Sequence, residues 1–220
     1  MPLNITARAS RIALGTAKIN GPECVDYIQR GLAAGYRMID TAQVYGNEGE
    51  IGNAIRSSGI PREQVFVTTK IAAAFKKNPK SVKEGVDSGR ESLSRLGLEC
   101  IDTILIHHPG DDAVDPSAAF CRRMTWQALE VLVLDGHVRN IGVSNFSSSH
   151  IQEMRHYARI PPCVNQLEVG ASTDSIIFCW LTQLTASSMV SAAPASRFLQ
   201  QRKNPATSLR GNCKECSLRK

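Results

Sequence analysis

Polar side chains stand at or near the ends of several short, β-branched runs of this sequence. In chain order they are Asp40, Lys70, His107, Ser144, Asn145 and Gln166. In a parallel barrel the carboxyl ends of the strands share one face, and active sites are built on that face. A carboxylate, an amine and an imidazole that meet there can hold, donate or accept a proton. The spacing therefore predicts that these side chains converge on one site.

The elements that would position this site are indicated by hydrophobic periodicity. Six runs have the character of strands: Ile12–Gly15, Arg37–Asp40, Val65–Lys70, Asp102–His107, Asn140–Ser144 and Val164–Val169. The stretches between them carry apolar residues at helical spacing, over about 22–34, 48–58, 79–96, 117–135 and 148–159. Such alternation is typical of βαβ units and a parallel sheet.

Residues that typically cap helices stand at the ends of the predicted helices and support this interpretation. Ser147 or Ser148 can cap the last predicted helix. A glycine follows four of the apolar helical patterns, where a residue in the left-handed conformation commonly ends a helix. These glycines are Gly35, Gly59, Gly97 and Gly136.

Size and charge argue for a single globular domain and against a nucleic-acid partner. The chain has 220 residues, of which 42% are hydrophobic and 21% charged. Its net charge is +6, but residues 171–220 hold seven Lys or Arg against two acidic residues and so carry +5, leaving +1 for residues 1–170. That basic tail is not organised as a face or helix with interleaved aromatics, as nucleic-acid binding requires.

Cysteine usage and hydropathy predict a protein of the cytoplasm without a metal or membrane partner. Seven scattered cysteines form no disulfide framework, so reduced thiols are expected. Cys213 and Cys216 make a Cys-x-x-Cys, but zinc normally takes four ligands and all five histidines precede residue 157. The most apolar run, Ile176–Leu184, is much shorter than the roughly 20 residues of a membrane span, and no secretory signal is evident.

Several motifs, in this order, resemble those of the aldo-keto reductase family. The segment 35–42 followed by Tyr45-Gly46-Asn47-Glu48 resembles the family's second-strand signature. Leu105-Ile106-His107 with Pro109 is similar to its fourth strand, segment 136–146 to its fifth, and Asn165-Gln166-Leu167-Glu168 to its sixth. The resemblance covers roughly residues 10–169. It implies an α/β fold of the (β/α)8 TIM-barrel type.

The same resemblance implies reduction of an aldehyde or ketone to an alcohol with NADPH. Hydride delivery leaves negative charge on the carbonyl oxygen, so an acid must stand beside it, and Tyr45 is the implied proton donor. Lys70, paired with Asp40, would lower the pKa of the phenol. His107 would donate a hydrogen bond to the carbonyl oxygen and orient it.

Residues for the cofactor and the substrate also follow from the resemblance. Those implied for NADP(H) are Gly15, Thr16, Asp40, Ser144, Asn145 and Gln166, of which the last three would hold the nicotinamide carboxamide. His108 stands where the family often has tryptophan and is expected to line the substrate pocket with His107. Ala17 replaces another usual tryptophan, so part of the pocket wall is absent. His137, His150 and His156 are expected on helix surfaces.

The sequence departs from the family pattern after Val169. No seventh- or eighth-strand motif is visible there, and the composition shifts to Ser, Thr and Ala and then to basic residues. We therefore predict an incomplete barrel of about six strands over residues 1–169, with the first and sixth strands as open edges, and an irregular basic tail over 170–220. An alternative to an active reductase is a catalytically inactive relative that serves as a binding or regulatory protein. The natural substrate and the oligomeric state stay open.

Overall fold

The fold is built on one sheet whose strands follow each other in chain order. The computed structural model describes residues 12–72, 81–110, 116–169 and 177–182. All of them lie in the larger of two compact units, residues 3–192, and the smaller unit lies outside the described residues. The strands are β1 (Leu14–Gly15), β2 (Met38–Asp40), β3 (Phe66–Ile71), β4 (Ile101–Ile106), β5 (Val138–Ser144), β6 (Val164–Val169) and β7 (Ile177–Thr182). Each neighbouring pair from β1 to β6 is parallel.

A helix follows each of the first five strands. These helices are α1 (Gly21–Ala33), α2 (Glu48–Ser57), α3 (Val82–Leu96), α4 (Pro116–Leu134) and α5 (Ser148–Met154). Short 3-10 turns at Gln43–Tyr45 and Arg62–Gln64 precede α2 and β3. The predicted alternation of parallel strands and helices is confirmed, and so is the α/β fold class.

The last helix is shorter than predicted, because its chain tightens after Met154. The N–H groups of residues 155–157 donate to carbonyls three residues earlier. The Glu130 carboxylate then accepts the N–H groups of Arg159 and Ile160, at 2.6 and 2.9 Å. These bonds replace the helical acceptors and turn the chain toward β6. At the other end of the helix, Ser147 rather than Ser148 is the cap, and its side chain accepts the N–H of His150.

Two predicted surface histidines lie elsewhere than expected. His150 is on α5 but is 8% exposed, so the expectation of a surface position was wrong. It completes the cap by accepting the backbone N–H of Ser147 on Nδ1, and its ring lies edge-on to Phe146. His137 follows α4 instead of belonging to it, and His156 is exposed on the turn after α5.

The period of two residues along the strands separates the core from the predicted site. Ile39, Val67 and Ile104 belong to the buried apolar cluster that contains side chains of the surrounding helices, among them Leu32, Ile51 and Trp126. Asp40 and Lys70 occupy the alternate positions of β2 and β3, so they point to the opposite face of the sheet. Burial of the apolar face thus fixes which face the polar side chains share.

β7 corrects the prediction for the tail. Residues 177–182 form a strand that pairs antiparallel with β6, so β6 is not an edge and this part of the tail is not irregular. A parallel return needs a crossover of about a dozen residues or more, and only residues 170–176 separate the two strands. The short connection therefore permits only the antiparallel direction, unlike the seventh strand of a closed parallel barrel.

Other expectations fall partly outside the described residues. Within them, β1 has β2 as its only neighbour, so the sheet is open at that edge. Cys24, Cys100, Cys121 and Cys163 carry free thiols. Cys213 and Cys216, with the rest of the tail at 170–176 and 183–220, lie outside the description, so the division into two regions at residue 169 stays a prediction. No helix in the described ranges is long and apolar enough to cross a membrane.

Candidate active site

A buried ion pair lies at the carboxyl ends of β2 and β3. The Lys70 Nζ is 2.7 Å from the Asp40 Oδ2 and donates a second hydrogen bond to the Thr41 carbonyl at 3.1 Å. Both side chains are almost fully buried. Burial raises the pKa of Asp40, and the Lys70 charge opposes this. Burial likewise lowers the pKa of Lys70, against the effect of Asp40. Each charged group therefore depends on the other to stay ionised.

Two rings lie next to this pair. Tyr45, at the end of the 3-10 turn after β2, has its ring centroid 5.6 Å from the Lys70 Nζ. Its ring meets the His107 ring edge-on, with centroids 5.7 Å apart. The structure thus brings together all four residues that the sequence proposed for proton chemistry.

The pKa of Tyr45 departs from its expected direction. Burial, followed by the negative charge of Asp40, raises the pKa of Tyr45 to about 12. The expected lowering of this pKa by Lys70 is wrong for this arrangement, because burial of the phenol and the carboxylate that holds Lys70 together outweigh the ammonium charge. The phenol is therefore protonated near neutral pH, which is the form that a proton donor requires.

His107 is neutral in the same surroundings. Burial, Lys70 and His108 together lower the pKa of His107 to about 4. A neutral imidazole can donate one hydrogen bond and accept another. The exposed His108 stacks on it, with ring centroids 4.9 Å apart and planes 19° from parallel. The predicted substrate contacts of both imidazoles stay predictions.

A third group of polar residues links β5, β6 and the loop after β4. The Ser144 Oγ and the Asn145 N–H both donate to the Gln166 carbonyl, at 2.9 and 3.0 Å. The Asn145 Nδ2 donates to the His107 carbonyl at 2.9 Å. Asn145 has a positive φ of 62°, which asparagine tolerates better than most residues. This local conformation directs its side chain to the loop that carries His107.

The side-chain amide of Gln166 differs from the rest of this group in its hydrogen bonding. Gln166 is 2% exposed, yet neither its Nε2 nor its Oε1 has a hydrogen-bond partner among the residues described. It lies near Asp40 and favours the ionised form of that carboxylate, although no well-formed hydrogen bond joins them. A buried amide with a free donor and a free acceptor suits a carboxamide, which offers the complementary pair. The residues present therefore fit a nicotinamide group.

The loop after β1 meets the site through a residue to which the sequence analysis assigned no role. The Thr16 N–H and Oγ1 both donate to the Asp40 carbonyl at 3.1 Å, so Gly15 and Thr16 lie beside Asp40. The fully buried Asn47 donates from Nδ2 to the Thr16 carbonyl and accepts a hydrogen bond from the Thr41 hydroxyl, each at 2.8 Å. Its place two residues after Tyr45 was the available signal. Asn47 ties the Tyr45 turn to the first loop.

A second residue missed from the sequence is Arg122 of α4. Its guanidinium is fully buried, donates from Nη1 to the Pro109 carbonyl at 3.0 Å, and pairs with Glu153 of α5. It therefore anchors the loop that carries His107 and His108. An arginine on a helix is usually on the surface, so no sequence pattern singles out Arg122.

Comparisons with known proteins identify the class of protein that this fold and site define. The Aldo/keto reductase family model matches residues 11–174. The glyoxal reductase of Bacillus subtilis (strain 168) is 39% identical over 156 residues, which is 70% of this chain and 52% of the relative. The chain therefore belongs to the aldo-keto reductase family, and it spans about half the length of this curated relative.

Solved structures show the same relationship. An aldo-keto reductase from a Medee basin deep-sea metagenome library is 37% identical with a TM-score of 0.66, covering 77% of this chain and 58% of that one. A Bombyx mori aldo-keto reductase in complex with NADP is 32% identical with a TM-score of 0.63, covering 77% of this chain and 57% of its own. The resemblance predicted from the motifs is confirmed, including partial coverage of the barrel.

Proposed function

We propose that this chain carries out the reduction of an aldehyde or ketone to the alcohol with NADPH, and that Tyr45 is the proton donor. The observation that carries the proposal is the convergence of Tyr45, His107 and the buried Asp40–Lys70 pair at the strand ends. A neutral phenol, a neutral imidazole and a fixed ammonium around one point suit a carbonyl oxygen that gains negative charge.

Each side chain has a distinct part in this scheme. The cofactor, when bound, supplies a hydride to the carbonyl carbon. His107 donates a hydrogen bond to the carbonyl oxygen, and Tyr45 transfers its proton to that oxygen as the charge develops. The Lys70 ammonium then stabilises the phenolate that remains, while Asp40 keeps Lys70 charged and in place. Tyr45 is only partly buried, so it can regain a proton from water.

For the cofactor, we propose that Ser144, Asn145 and Gln166 hold the nicotinamide carboxamide, with Gly15, Thr16 and Asp40 beside the adjoining sugar. The unpartnered amide of buried Gln166 supports this assignment. We propose His107 and His108 for the substrate side, because their rings stack on each other and the His107 ring meets the Tyr45 ring edge-on. A glyoxal-like small aldehyde is a reasonable first substrate, given the name of the Bacillus subtilis relative.

The second candidate is a relative that binds without turnover. It is favoured by β7, which pairs antiparallel with β6, unlike the seventh strand of a closed parallel barrel. Binding of an aldo-keto reductase ligand without reduction would support this candidate.

The test is to mix the purified chain with NADPH and a panel of aldehydes that includes glyoxal. We expect loss of NADPH absorbance that depends on the aldehyde and equals the alcohol formed. Quenching of protein fluorescence by NADPH is measured in parallel. Quenching without NADPH loss would select the binding protein, and neither signal would contradict both candidates.

A further inference from the structure

A cavity of about 340 Å³ lies at the amino ends of the strands, away from the residues described above. Arg62 precedes β3 and Arg139 is the second residue of β5, whereas Lys70 and Ser144 stand near the other ends of those strands. The walls combine three arginines, Arg56, Arg62 and Arg139, with three aliphatic side chains, Ile55, Ile60 and Leu98. Cavities of this size are in the range that holds small ligands.

Two of the arginines in the cavity wall share one buried carboxylate. The Arg62 Nη2 is 2.6 Å from the Asp102 Oδ2, and the Arg139 Nε is 3.4 Å from the Asp102 Oδ1. The Arg62 Nε is buried and makes no hydrogen bond within the described part of the chain, which is uncommon for an N–H donor. The Arg62 and Arg139 side chains are 29% and 31% exposed and line the cavity, so an anion that enters it can contact their exposed edges.

The third arginine has carbonyl partners instead of a carboxylate. The Arg56 Nη1 donates to the Leu96 carbonyl at 2.8 Å and to the Gly97 carbonyl at 3.4 Å. A Cβ on residue 97 would lie 2.3 Å from this nitrogen, so glycine leaves the space that the guanidinium occupies. The arrangement fixes one edge of the guanidinium and leaves its other donors available.

Charge and shape together define what would bind. Three arginines face two acidic groups, the buried Asp102 and the exposed Glu99, which leaves one positive charge in excess. Guanidinium groups recognise carboxylates and phosphates by paired hydrogen bonds. The aliphatic wall suits an apolar substituent on the same molecule. The remaining titratable wall group is Cys100, whose pKa is raised by burial, so it adds no negative charge near neutral pH.

We propose that this arginine-lined cavity is a second binding site, for a small organic oxyanion that combines a carboxylate or phosphate with an apolar group. This site does not depend on the proposed reductase activity. It would give the chain a ligand site at the opposite end of the sheet from the carbonyl chemistry.

The test is titration of the full chain by calorimetry with phenyl phosphate and benzoate as probes, at physiological salt. Inorganic phosphate and the uncharged benzyl alcohol are the comparison compounds. Arg56→Gln removes one guanidinium without touching Asp102, and Arg56 is exposed, so the fold is expected to survive. Arg123→Gln on exposed α4 surface makes the same change of charge outside the cavity. Arg56→Lys keeps the charge without the planar donor pair.

We expect at least one organic anion to bind more tightly than both comparison compounds, with affinity reduced about tenfold or more by Arg56→Gln. Arg123→Gln should leave this affinity unchanged. The affinity of Arg56→Lys should lie between those of wild type and Arg56→Gln. Amide NMR shifts at Gly97 and Arg139 should follow the titration. Equal, salt-sensitive binding of inorganic and organic phosphate would mean an adventitious ion only and would overturn the proposal. So would unchanged binding in a folded Arg56→Gln variant.

Discussion

Two buried carboxylates at opposite ends of the sheet have the same chemistry but different surroundings. Asp102, at the amino end of β4, contacts Arg62 and Arg139 and accepts the Val67 N–H at 3.0 Å. Asp40, at the carboxyl end of β2, has Lys70 as its ion-pair partner. The first carboxylate thus has two arginines and a backbone N–H as partners, whereas the second has one ion-pair partner among the residues described.

This difference distinguishes groups that stabilise the fold from groups that are available for binding and chemistry. Native proteins rarely leave buried polar atoms unpaired without a functional reason. Around Asp40 the unpaired set includes the amide of Gln166, and the neighbours are a neutral phenol and a neutral imidazole. We therefore expect changes at Asp102 to affect stability first, and changes around Asp40 to affect ligand binding and reaction first.

The largest stability effect should come from Asp102→Ala. The change removes a fully buried carboxylate that two partly exposed arginines and a backbone N–H share, so we expect a loss of about 3–5 kcal/mol in the free energy of unfolding. Urea denaturation measures it. Asp87→Ala is the matched control, because the exposed Asp87–Lys83 pair on α3 should contribute little to stability. Equal losses of stability in the two variants would contradict the claim that Asp102 stabilises the fold at its end of the sheet.

A smaller loss is expected for Arg122→Met. The variant removes the donor to the Pro109 carbonyl and the partner of Glu153, which is partly exposed and can be hydrated. We expect about 2 kcal/mol of destabilisation. Arg123→Met, next in the chain and exposed, should have little effect on the same denaturation curve. If both variants behave alike, Arg122 does not anchor the loop that carries His107.

The pH dependence of stability should report on His107. Its pKa is lowered from 6.5 to about 4 in the folded state, so the unfolded chain binds a proton more readily between these values. Stability should therefore fall as the pH decreases through this window. Relative to wild type, His107→Gln should lose less stability between pH 7 and pH 5. The exposed His156→Gln variant should follow wild type, and a parallel profile for His107→Gln would contradict the buried, neutral imidazole.

The smallest stability effect is expected for Gln166→Leu. An amide without hydrogen bonds can be replaced by an apolar group of similar size at little cost, so the free energy of unfolding should change by less than about 1 kcal/mol, or increase. NADPH affinity, measured by fluorescence quenching, should fall about tenfold because the carboxamide loses its partner. Gln152→Leu, on the exposed side of α5, should change neither. A large loss of stability in Gln166→Leu would mean that Gln166, like Asp102, mainly stabilises the fold.

The fold was largely predictable because its signals are local. Strand and helix positions followed from periodicity, and the site face followed from the parallel order of the strands. β7 was missed because its direction depends on the length of the connection to β6, a tertiary constraint that apolar composition does not encode. The same applies to the end of α5, where Glu130 on another helix supplies the acceptor.

The residues of the site were predictable from the sequence, but the direction of their pKa shifts was not. Motifs named Tyr45 and Lys70 and the structure places them together, but the raised pKa of Tyr45 depends on burial and on how far Asp40 offsets Lys70. Asn47 and Arg122 were missed because their partners are backbone carbonyls distant in the sequence. Such contacts leave no periodic signal.

The central claim is that the Tyr45 hydroxyl delivers the proton at this strand-end site. Comparing NADPH-dependent aldehyde reduction by Tyr45→Phe and by Tyr36→Phe tests it most directly, because Tyr36 is 37% exposed and lies outside the site. We predict that Tyr45→Phe lowers kcat by about a hundredfold or more, with NADPH quenching and stability retained, while Tyr36→Phe matches wild type. Reduction by Tyr45→Phe at the wild-type rate would contradict the account.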